Sequence, residues 1–320
     1  MELKHKLSDH CESLLQTETS KMTQYQAGAL DFVEKIDNLR LVIRHAFSNG
    51  RTMLAIPFVI GLLWAFSYGV KTIYIDPWKN TERIFLHSLE YKKVPKDENR
   101  YFFKTPEREY KYEDIYIKNS HLYFFDFLHY NYNNNYYAYE ENVFLDLFLL
   151  LTPLLCSLPM IYFGFIARNR PYLICDREKQ LFYTWDMKMN VYVAKYSQIN
   201  FADIKPTLAL ILYRVDENQK LIEHKYYPNL TMFSFLGGGS SNDKAWGLGY
   251  ITKYLFYGLA PLIEGKYTRK KYSIFREAPI PKDLDKQIEQ QVLLVDNALP
   301  PCKEIENKLS EAIKYSIYIF

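Results

Sequence analysis

Side chains that could bind a metal or transfer protons lie close together near the middle of the chain. His121, Asp126 and His129 fall within nine residues, and imidazole and carboxylate groups serve as zinc ligands and as general acids and bases. Their spacing matches no common ligand pattern, and aromatic residues surround them. We therefore expect these to be surface side chains rather than a metal centre or a catalytic pair.

A glycine-rich run at 237–241, Gly-Gly-Gly-Ser-Ser, is the second candidate for chemistry. Backbone amides of such a loop, together with the N-terminus of a following helix, favour bound anions. The run lacks the Gly-Lys-Ser/Thr ending of a nucleotide-binding loop, so a flexible connector is the favoured interpretation. The chain also has no nucleophile elbow, paired catalytic carboxylates or Walker sequence. We therefore expect no enzymatic activity, and no cofactor, metal or small-molecule substrate.

Aromatic side chains in the C-terminal half are the best candidates for contacts with a partner protein. Tyrosine and tryptophan dominate the energetics of protein interfaces because they bury a large area at little entropic cost. The candidates are Tyr183, Trp185, Tyr192, Tyr226 and Tyr227. The alternative is that these rings fill the core of their own domain.

Two long uncharged segments decide the class of protein. The first covers 53–70 and the second covers 147–167, and charged residues bound both of them. A helix needs about 20 apolar residues to cross the hydrocarbon layer of a membrane, and a spanning segment must satisfy its backbone polar groups internally. The sequence therefore predicts two transmembrane helices, with a buried core helix as the weaker alternative for each.

The charges that flank these segments predict their orientation. Arg40, Arg44 and Arg51 precede the first segment, and arginines at 168, 170 and 177 follow the second. Positive residues favour the cytoplasmic side of a membrane, so both termini are predicted to be cytoplasmic and residues 71–142 external. The expected location is a bacterial inner membrane, with a multi-pass topology.

Overall charge and cysteine use agree with a membrane protein that faces a reducing compartment. The formal net charge is +3, which gives no strong attraction to nucleic acid. None of the four cysteines lies in the segment predicted to be external, which is consistent with an absence of disulfide bonds. They are Cys11, Cys156, Cys175 and Cys302.

The chain divides into six predicted segments. Residues 1–50 are predicted to be a helical cytoplasmic segment, because Phe32, Ile36, Ile43 and other apolar residues recur at helical spacing. Transmembrane helix 1 (51–70) and transmembrane helix 2 (143–167) enclose an external lobe (71–142). Within that lobe, 72–75 and 112–118 have the composition of strands.

Residues 168–280 are predicted to form a cytoplasmic α+β domain, and 281–320 two further helices broken at a Pro-Pro pair. Predicted strands at 172–175, 181–185, 191–194, 208–215 and 221–227 indicate an antiparallel sheet. A helix predicted at 245–263 then packs on it. A third membrane span is the alternative for that helix, but its central Lys253 argues against insertion.

The tract that leaves the second apolar segment carries a family resemblance. It contains Arg-Asn-Arg-Pro at 168–171, a strand, Asp-Arg-Glu-Lys-Gln at 176–180, an aromatic strand and Tyr-Ser-Gln-Ile at 196–199. This resembles uncharacterised two-span bacterial inner-membrane proteins that are encoded beside type VI secretion and polymorphic-toxin genes. The strand-rich part is also similar to bacterial pleckstrin-homology-like domains.

The resemblance implies a membrane-anchored immunity protein that binds and neutralises a cognate protein toxin, and it supplies no catalytic residues. An immunity protein needs only a folded face that covers part of the toxin. A membrane scaffold or sensor of a secretion or envelope system is the alternative, and a membrane-bound enzyme is the third. We expect the partner to bind the cytoplasmic domain rather than the external lobe.

Overall fold

The computed structural model describes residues 4–29, 32–92, 117–118, 121–133, 140–204, 207–230, 240–270 and 276–318. The chain forms two compact units. The sheet unit comprises Met1–Ile56 together with Tyr162–Phe320, and the helical unit comprises Pro57–Ile161. Each unit is described by itself below.

The strands of the described residues are β1 (Lys4–Lys6), β2 (Val33–Ile36), β3 (Arg40–Ile43), β4 (Ile117–Lys118), β5 (His121–Leu122), β6 (Leu173–Asp176), β7 (Leu181–Trp185), β8 (Val191–Lys195), β9 (Asn200–Ile204), β10 (Thr207–Val215), β11 (Leu221–Tyr226) and β12 (Tyr267–Thr268). The helices are α1 (Cys11–Gln16), α2 (Gln24–Ala29), α3 (Phe47–Gly50), α4 (Ile56–Val70), α5 (Asp76–Lys92), α6 (Phe124–Asn133), α7 (Glu140–Ile161), α8 (Ser241–Tyr257), α9 (Leu284–Ala298) and α10 (Lys303–Tyr318). Short π-helical segments occupy Arg51–Ala55, Lys71–Ile75 and Tyr162–Ile166.

Aspartate residues start the hairpin turns of the sheet. Asp37 accepts hydrogen bonds from the backbone N–H groups of Leu39 and Arg40, at 2.9 and 2.8 Å. Asp186 and Asp216 do the same after β7 and β10. An aspartate carboxylate that binds the backbone ahead of it stabilises a tight turn. These local turns join β2 to β3, β7 to β8 and β10 to β11 in antiparallel pairs.

The antiparallel sheet closes on itself through a pairing of distant segments. Strands pair in the order β3, β6, β7, β8, β10 and β11. The residues after β3 then meet those after β11 at a bridge between His45 and Pro228. The N–H of Ala46 donates to Tyr227 O at 2.8 Å, and the N–H of Asn229 donates to Arg44 O at 2.9 Å. The pairings therefore form a ring, and every residue of β7 is buried.

Helices cover the sheet and complete one core. Helix α9 packs on β8 and β10, and α8 packs against α1 and α10. A capping box begins α8, in which Ser240 and Asp243 each bind the other's backbone N–H. Tyr250, Ile251, Tyr254 and Leu255 of this helix are fully buried. The helix predicted at 245–263 is thus confirmed, although it starts and ends earlier. Its apolar residues are explained by burial in this core.

The helical prediction for residues 1–50 is wrong in its apolar part, which forms β2 and β3. Val33 and Ile36 share a buried face because a bulge between 33 and 35 shifts the register of β2. A bulge inserts one residue and so converts the two-residue period of a strand into a three-residue spacing. The turn at Asp37 then resets the phase for Leu41 and Ile43. Together these features produce an apolar spacing that imitates a helix.

The sequence predicted a sheet confined to residues 168–280. The observed sheet extends beyond them. Strands β1, β2 and β3 come from the N-terminal segment, and β3 pairs with β6 over four residues. The predicted strands at 172–175, 181–185, 191–194, 208–215 and 221–227 are confirmed within a residue at each end. Strand β9 was not predicted. The two helices predicted in 281–320 are confirmed as α9 and α10.

Arg51 joins the two ends of the sheet unit that border the helical unit. Its guanidinium donates to Phe163 O and Asn169 Oδ1, each at 3.1 Å, and also to Ala167 O. Arg51 is only 4% exposed. A Cβ added at Gly164 would lie 3.4 Å from Ala55 Cβ, so the two chain segments are in close contact here.

The helical unit contains two helices that are long and apolar enough to cross a membrane. These are the helical stretches Ile56–Ile84 and Phe144–Ile166, and only 6% and 11% of their most apolar windows are buried. The two helices approach each other closely, since a Cβ at Gly69 would lie 3.1 Å from Leu150 Cδ2. Small residues permit such close contact between membrane helices. The strand predicted at 72–75 is wrong, because the first helix continues through it.

A small aromatic cluster is the only core found in the described part of the 71–142 segment. Leu122 and Phe127 are buried there against Trp78, Phe124 and Leu128. The Nε1–H of Trp78 donates to Leu122 O at 2.8 Å. Most of the strand predicted at 112–118 lies outside the described residues, and only β4 represents it.

Candidate functional site

A cleft of about 200 Å³ opens where the sheet closes on itself. Its walls come from the residues after β3, the end of β7, the end of β11 and the segment that leads into β6. The lining residues are His45, Phe47, Arg170, Pro171, Thr184, Trp185, Asp186, Met187, His224, Lys225, Tyr226 and Tyr227. Clefts with apolar walls and a few convergent polar groups are the usual form of a ligand site.

His45 is a neutral hydrogen-bond donor at one wall of the cleft. Its Nδ1 accepts the backbone N–H of Phe47 at 3.2 Å, so the ring proton lies on Nε2. Burial, together with smaller electrostatic contributions from Arg170 and His224, lowers the pKa of His45 to about 3. The imidazole therefore stays neutral at physiological pH, with its Nε2–H available as a donor.

His224, which also lines the cleft, is held by ring stacking. Its imidazole stacks on Tyr192 with the ring centroids 4.4 Å apart. Burial lowers the pKa of His224, the Asp186 carboxylate raises it, and Arg170 lowers it. Because the net direction is downward, this imidazole also favours its neutral form.

Asp186 has a structural role in the hairpin between β7 and β8. Its Oδ1 accepts the backbone N–H groups of Lys188 and Asn190, and its Oδ2 accepts the Asn190 side chain at 2.8 Å and the Tyr192 hydroxyl at 3.2 Å. Partial burial alone would raise the pKa of Asp186, but these hydrogen bonds lower it overall. The carboxylate is therefore ionised and committed to the turn.

The five aromatic residues predicted to contact a partner divide between the core and the cleft. Tyr183, Trp185, Tyr192 and Tyr226 are buried, and Tyr227 is half-buried. Trp185, Tyr226 and Tyr227 line the cleft, and Tyr192 supports it through His224. Tyr183 lies apart from them in the sheet. Of the five, Tyr227 has the most surface available to a partner.

The other candidates from the sequence lie elsewhere. His121 is exposed, and its Nδ1 lies 3.3 Å from Glu82 Oε1. Asp126 and His129 belong to α6. Across the described ranges, no group of three or more His, Cys, Asp or Glu residues could hold a metal ion. Most of the glycine-rich run at 237–241 lies outside the described residues.

A second cavity, of about 360 Å³, lies beside α1 and α8. Its walls are largely apolar and include Leu14, Leu208 and Leu248, with the ring of Phe201 next to that of His10. It contains Lys244 as its only lysine or arginine among the described lining residues. The cleft at the sheet closure has the denser set of polar groups.

The sequence did not identify His45, Arg170 and His224 as members of one site. Arg170 entered the sequence analysis through the charge asymmetry and the Arg-Asn-Arg-Pro motif, and the two histidines are far apart in the chain. They meet because the residues after β3 pair with those after β11. His45 lies in the segment that was predicted to be helical and His224 lies inside a predicted strand, so no local signal placed the two histidines together.

The chain matches no protein-family model, no curated protein and no solved structure. The resemblance to two-span proteins encoded beside toxin genes therefore stays a prediction.

Proposed function

We propose that this protein is a membrane-anchored binding protein whose sheet unit faces the cytoplasm and whose partner is a protein toxin. The observation that carries the anchoring is the exposure of apolar side chains along α4 and α7. Ile60, Trp64, Phe144 and Phe148 are each more than 60% exposed. Soluble proteins rarely expose apolar surface of this extent. Lipid is the environment in which such helices are stable.

The strand pairing supports a hairpin with both flanking segments on one side of the membrane. Strand β3 precedes the first apolar helix and β6 follows the second, and these strands are hydrogen-bonded to each other. One sheet cannot be divided by a bilayer. The arginines at both ends of the hairpin favour the cytoplasm for this side.

The immunity role rests on the family resemblance and on the kind of surface that the sheet unit offers. An immunity protein acts by covering a toxin surface and needs no catalytic group. The closed sheet gives a pre-formed surface, so little ordering entropy is lost on binding. Tyr227, half-buried at the mouth of the cleft, is the aromatic anchor that such an interface would use.

Co-expression with a toxin encoded beside the gene tests this role. The full-length protein should restore growth of the intoxicated cells and should co-purify with the toxin. Tyr227→Ala should weaken toxin binding about tenfold, because central aromatic residues carry much of the energy of an interface. Tyr25→Ala is the matched control, since Tyr25 is exposed in α2, outside the cleft lining. Failure to restore growth, together with no co-purification, would refute the immunity role.

A further inference from the structure

The cleft at the sheet closure brings together hydrogen-bond donors that have no partner in the described part of the chain. Arg170 is exposed and forms no ion pair there. The Nε2–H of His45 and both ring nitrogens of His224 likewise have no hydrogen-bond partner among the described residues. All three side chains line the same cleft. Unused donors around one cavity point to a ligand that supplies acceptors.

The charge balance of the cleft favours an anion. The Arg170 guanidinium contributes positive charge to the lining. Asp186 is the only acidic residue among the described lining residues, and its carboxylate accepts four hydrogen bonds within its own hairpin. The two imidazoles are neutral donors rather than competing anions. A negatively charged ligand would therefore complement the Arg170 guanidinium and the two neutral imidazole donors of the lining.

The remaining walls are apolar and so strengthen such an interaction. The Nε1–H of Trp185 donates to Pro279 O at 2.7 Å, and the Tyr226 hydroxyl donates to Ile43 O at 2.7 Å. Their rings, with those of Phe47 and Tyr227, therefore present carbon surface to the cavity. Electrostatic attraction increases where aromatic walls exclude water. A volume of about 200 Å³ suits a compact anionic group rather than a large ligand.

We propose that this cleft binds a phosphate group through Arg170, His224 and His45. Arginine forms paired, charge-assisted hydrogen bonds with phosphate oxygens, which match the fork of its donors. The histidines supply neutral donors to the remaining oxygens. The proposed phosphate site depends only on the residues of the cleft and not on the proposed binding of a toxin.

The phosphate could belong to a lipid headgroup or to a soluble phosphorylated molecule. Two of the lining residues favour the lipid. Phe47 is nine residues before Ile56, where the first apolar helix begins, and Arg170 is four residues after Ile166, where the second ends. Both are therefore tied by short chain segments to the apolar helices. The preference for a lipid headgroup over a soluble phosphorylated molecule rests on the proposed membrane anchoring, whereas the phosphate site itself does not.

Calorimetric titration of the full chain in a neutral detergent tests the proposal, with two probes. The first is short-chain phosphatidylglycerol and the second is inorganic phosphate. We expect one saturable site. The double variant Arg170→Gln/His224→Gln should bind about 10- to 100-fold more weakly, because charge-assisted hydrogen bonds are lost. A lipid source predicts at least tenfold tighter binding of the lipid probe, and a soluble source predicts comparable binding of inorganic phosphate.

Arg168→Gln is the matched control, because Arg168 is exposed, lies two residues away and does not line the cleft. It should bind as the wild type does. Arg170→Gln alone serves if the double variant loses its fold, since it alters an exposed side chain. The proposal is overturned if the wild type binds neither probe, if Arg170→Gln binds normally, or if Arg168→Gln is impaired equally. No toxin is present in this experiment, so its failure is separate from failure of the immunity role.

Discussion

Removal of residues 57–161, with Ile56 joined to Tyr162 by a short glycine-serine linker, is expected to give a soluble and cooperatively folded protein. The fragment 168–320 is expected to remain unfolded. The first protein keeps every strand of the closed sheet, whereas the fragment lacks β1, β2 and β3. The linker can be short because Ala55 and Gly164 are already in contact.

The fragment fails because the N-terminal segment supplies part of the core. Its large, fully buried side chains are Leu7, Phe32, Ile36, Leu41 and Ile43. Burial of one such side chain contributes about 1.5–3 kcal/mol. Together these contributions are comparable to the whole stability of a typical domain, about 5–15 kcal/mol. The edge of β6 would also lose its partner.

Thermal unfolding followed by circular dichroism distinguishes the two proteins. The joined protein should show one sharp transition, and the fragment should show none. A fragment that melts cooperatively at the temperature of the joined protein would contradict the composite sheet and would favour a self-contained C-terminal domain.

Replacement of Arg177 by methionine is expected to cost about 3 kcal/mol of folding stability, from the loss of hydrogen bonds made by a charged donor. Arg177 is 5% exposed. Its Nε donates to Leu255 O at 3.0 Å, and its Nη2 donates to Phe256 O at 3.3 Å. These carbonyls belong to the last turn of α8, where a cation also interacts favourably with the helix dipole. Methionine would fill much of the space but would leave both carbonyls buried without this donor.

Urea denaturation of the joined protein measures the effect. Arg177→Lys should lose less, because it keeps the positive charge but cannot reproduce the fork of two donors. Glu178→Met is the matched control, since Glu178 is exposed in the same turn, and it should change stability by less than about 0.5 kcal/mol. If Arg177→Met is as stable as the wild type, Arg177 does not hold the end of α8.

Much of the sheet could be predicted because its hairpins are local. Strands β6, β7, β8, β10 and β11 are short segments rich in apolar and aromatic residues, and Asp176, Asp186 and Asp216 bind the backbone of the turns that follow β6, β7 and β10. The apolar helices were equally clear from their length. These features depend only on residues that are close together in the sequence.

The closure of the sheet and the composition of the cleft could not be predicted in the same way. Both depend on the pairing of β3 with β6 and on the bridge between His45 and Pro228. A single sequence carries no local sign of such long-range contacts. Trp185, Tyr226 and Tyr227 were selected by residue type alone, and that criterion does not select the arginine and histidines that surround them.

Cysteine accessibility in intact cells tests most directly the claim that a membrane hairpin interrupts one cytoplasmic sheet unit. The background carries Cys11→Ser, Cys156→Ala and Cys302→Ser and keeps Cys175, which is buried. Single cysteines then replace Asn38 and Lys220, which are exposed in turns of the sheet unit, or Tyr123, which is exposed in the helical unit. A membrane-impermeant maleimide should label the cysteine at 123 in intact cells. Those at 38 and 220 should be labelled only after permeabilisation. Labelling of 38 and 220 from opposite sides would contradict the composite sheet, and protection of all three would contradict the membrane hairpin.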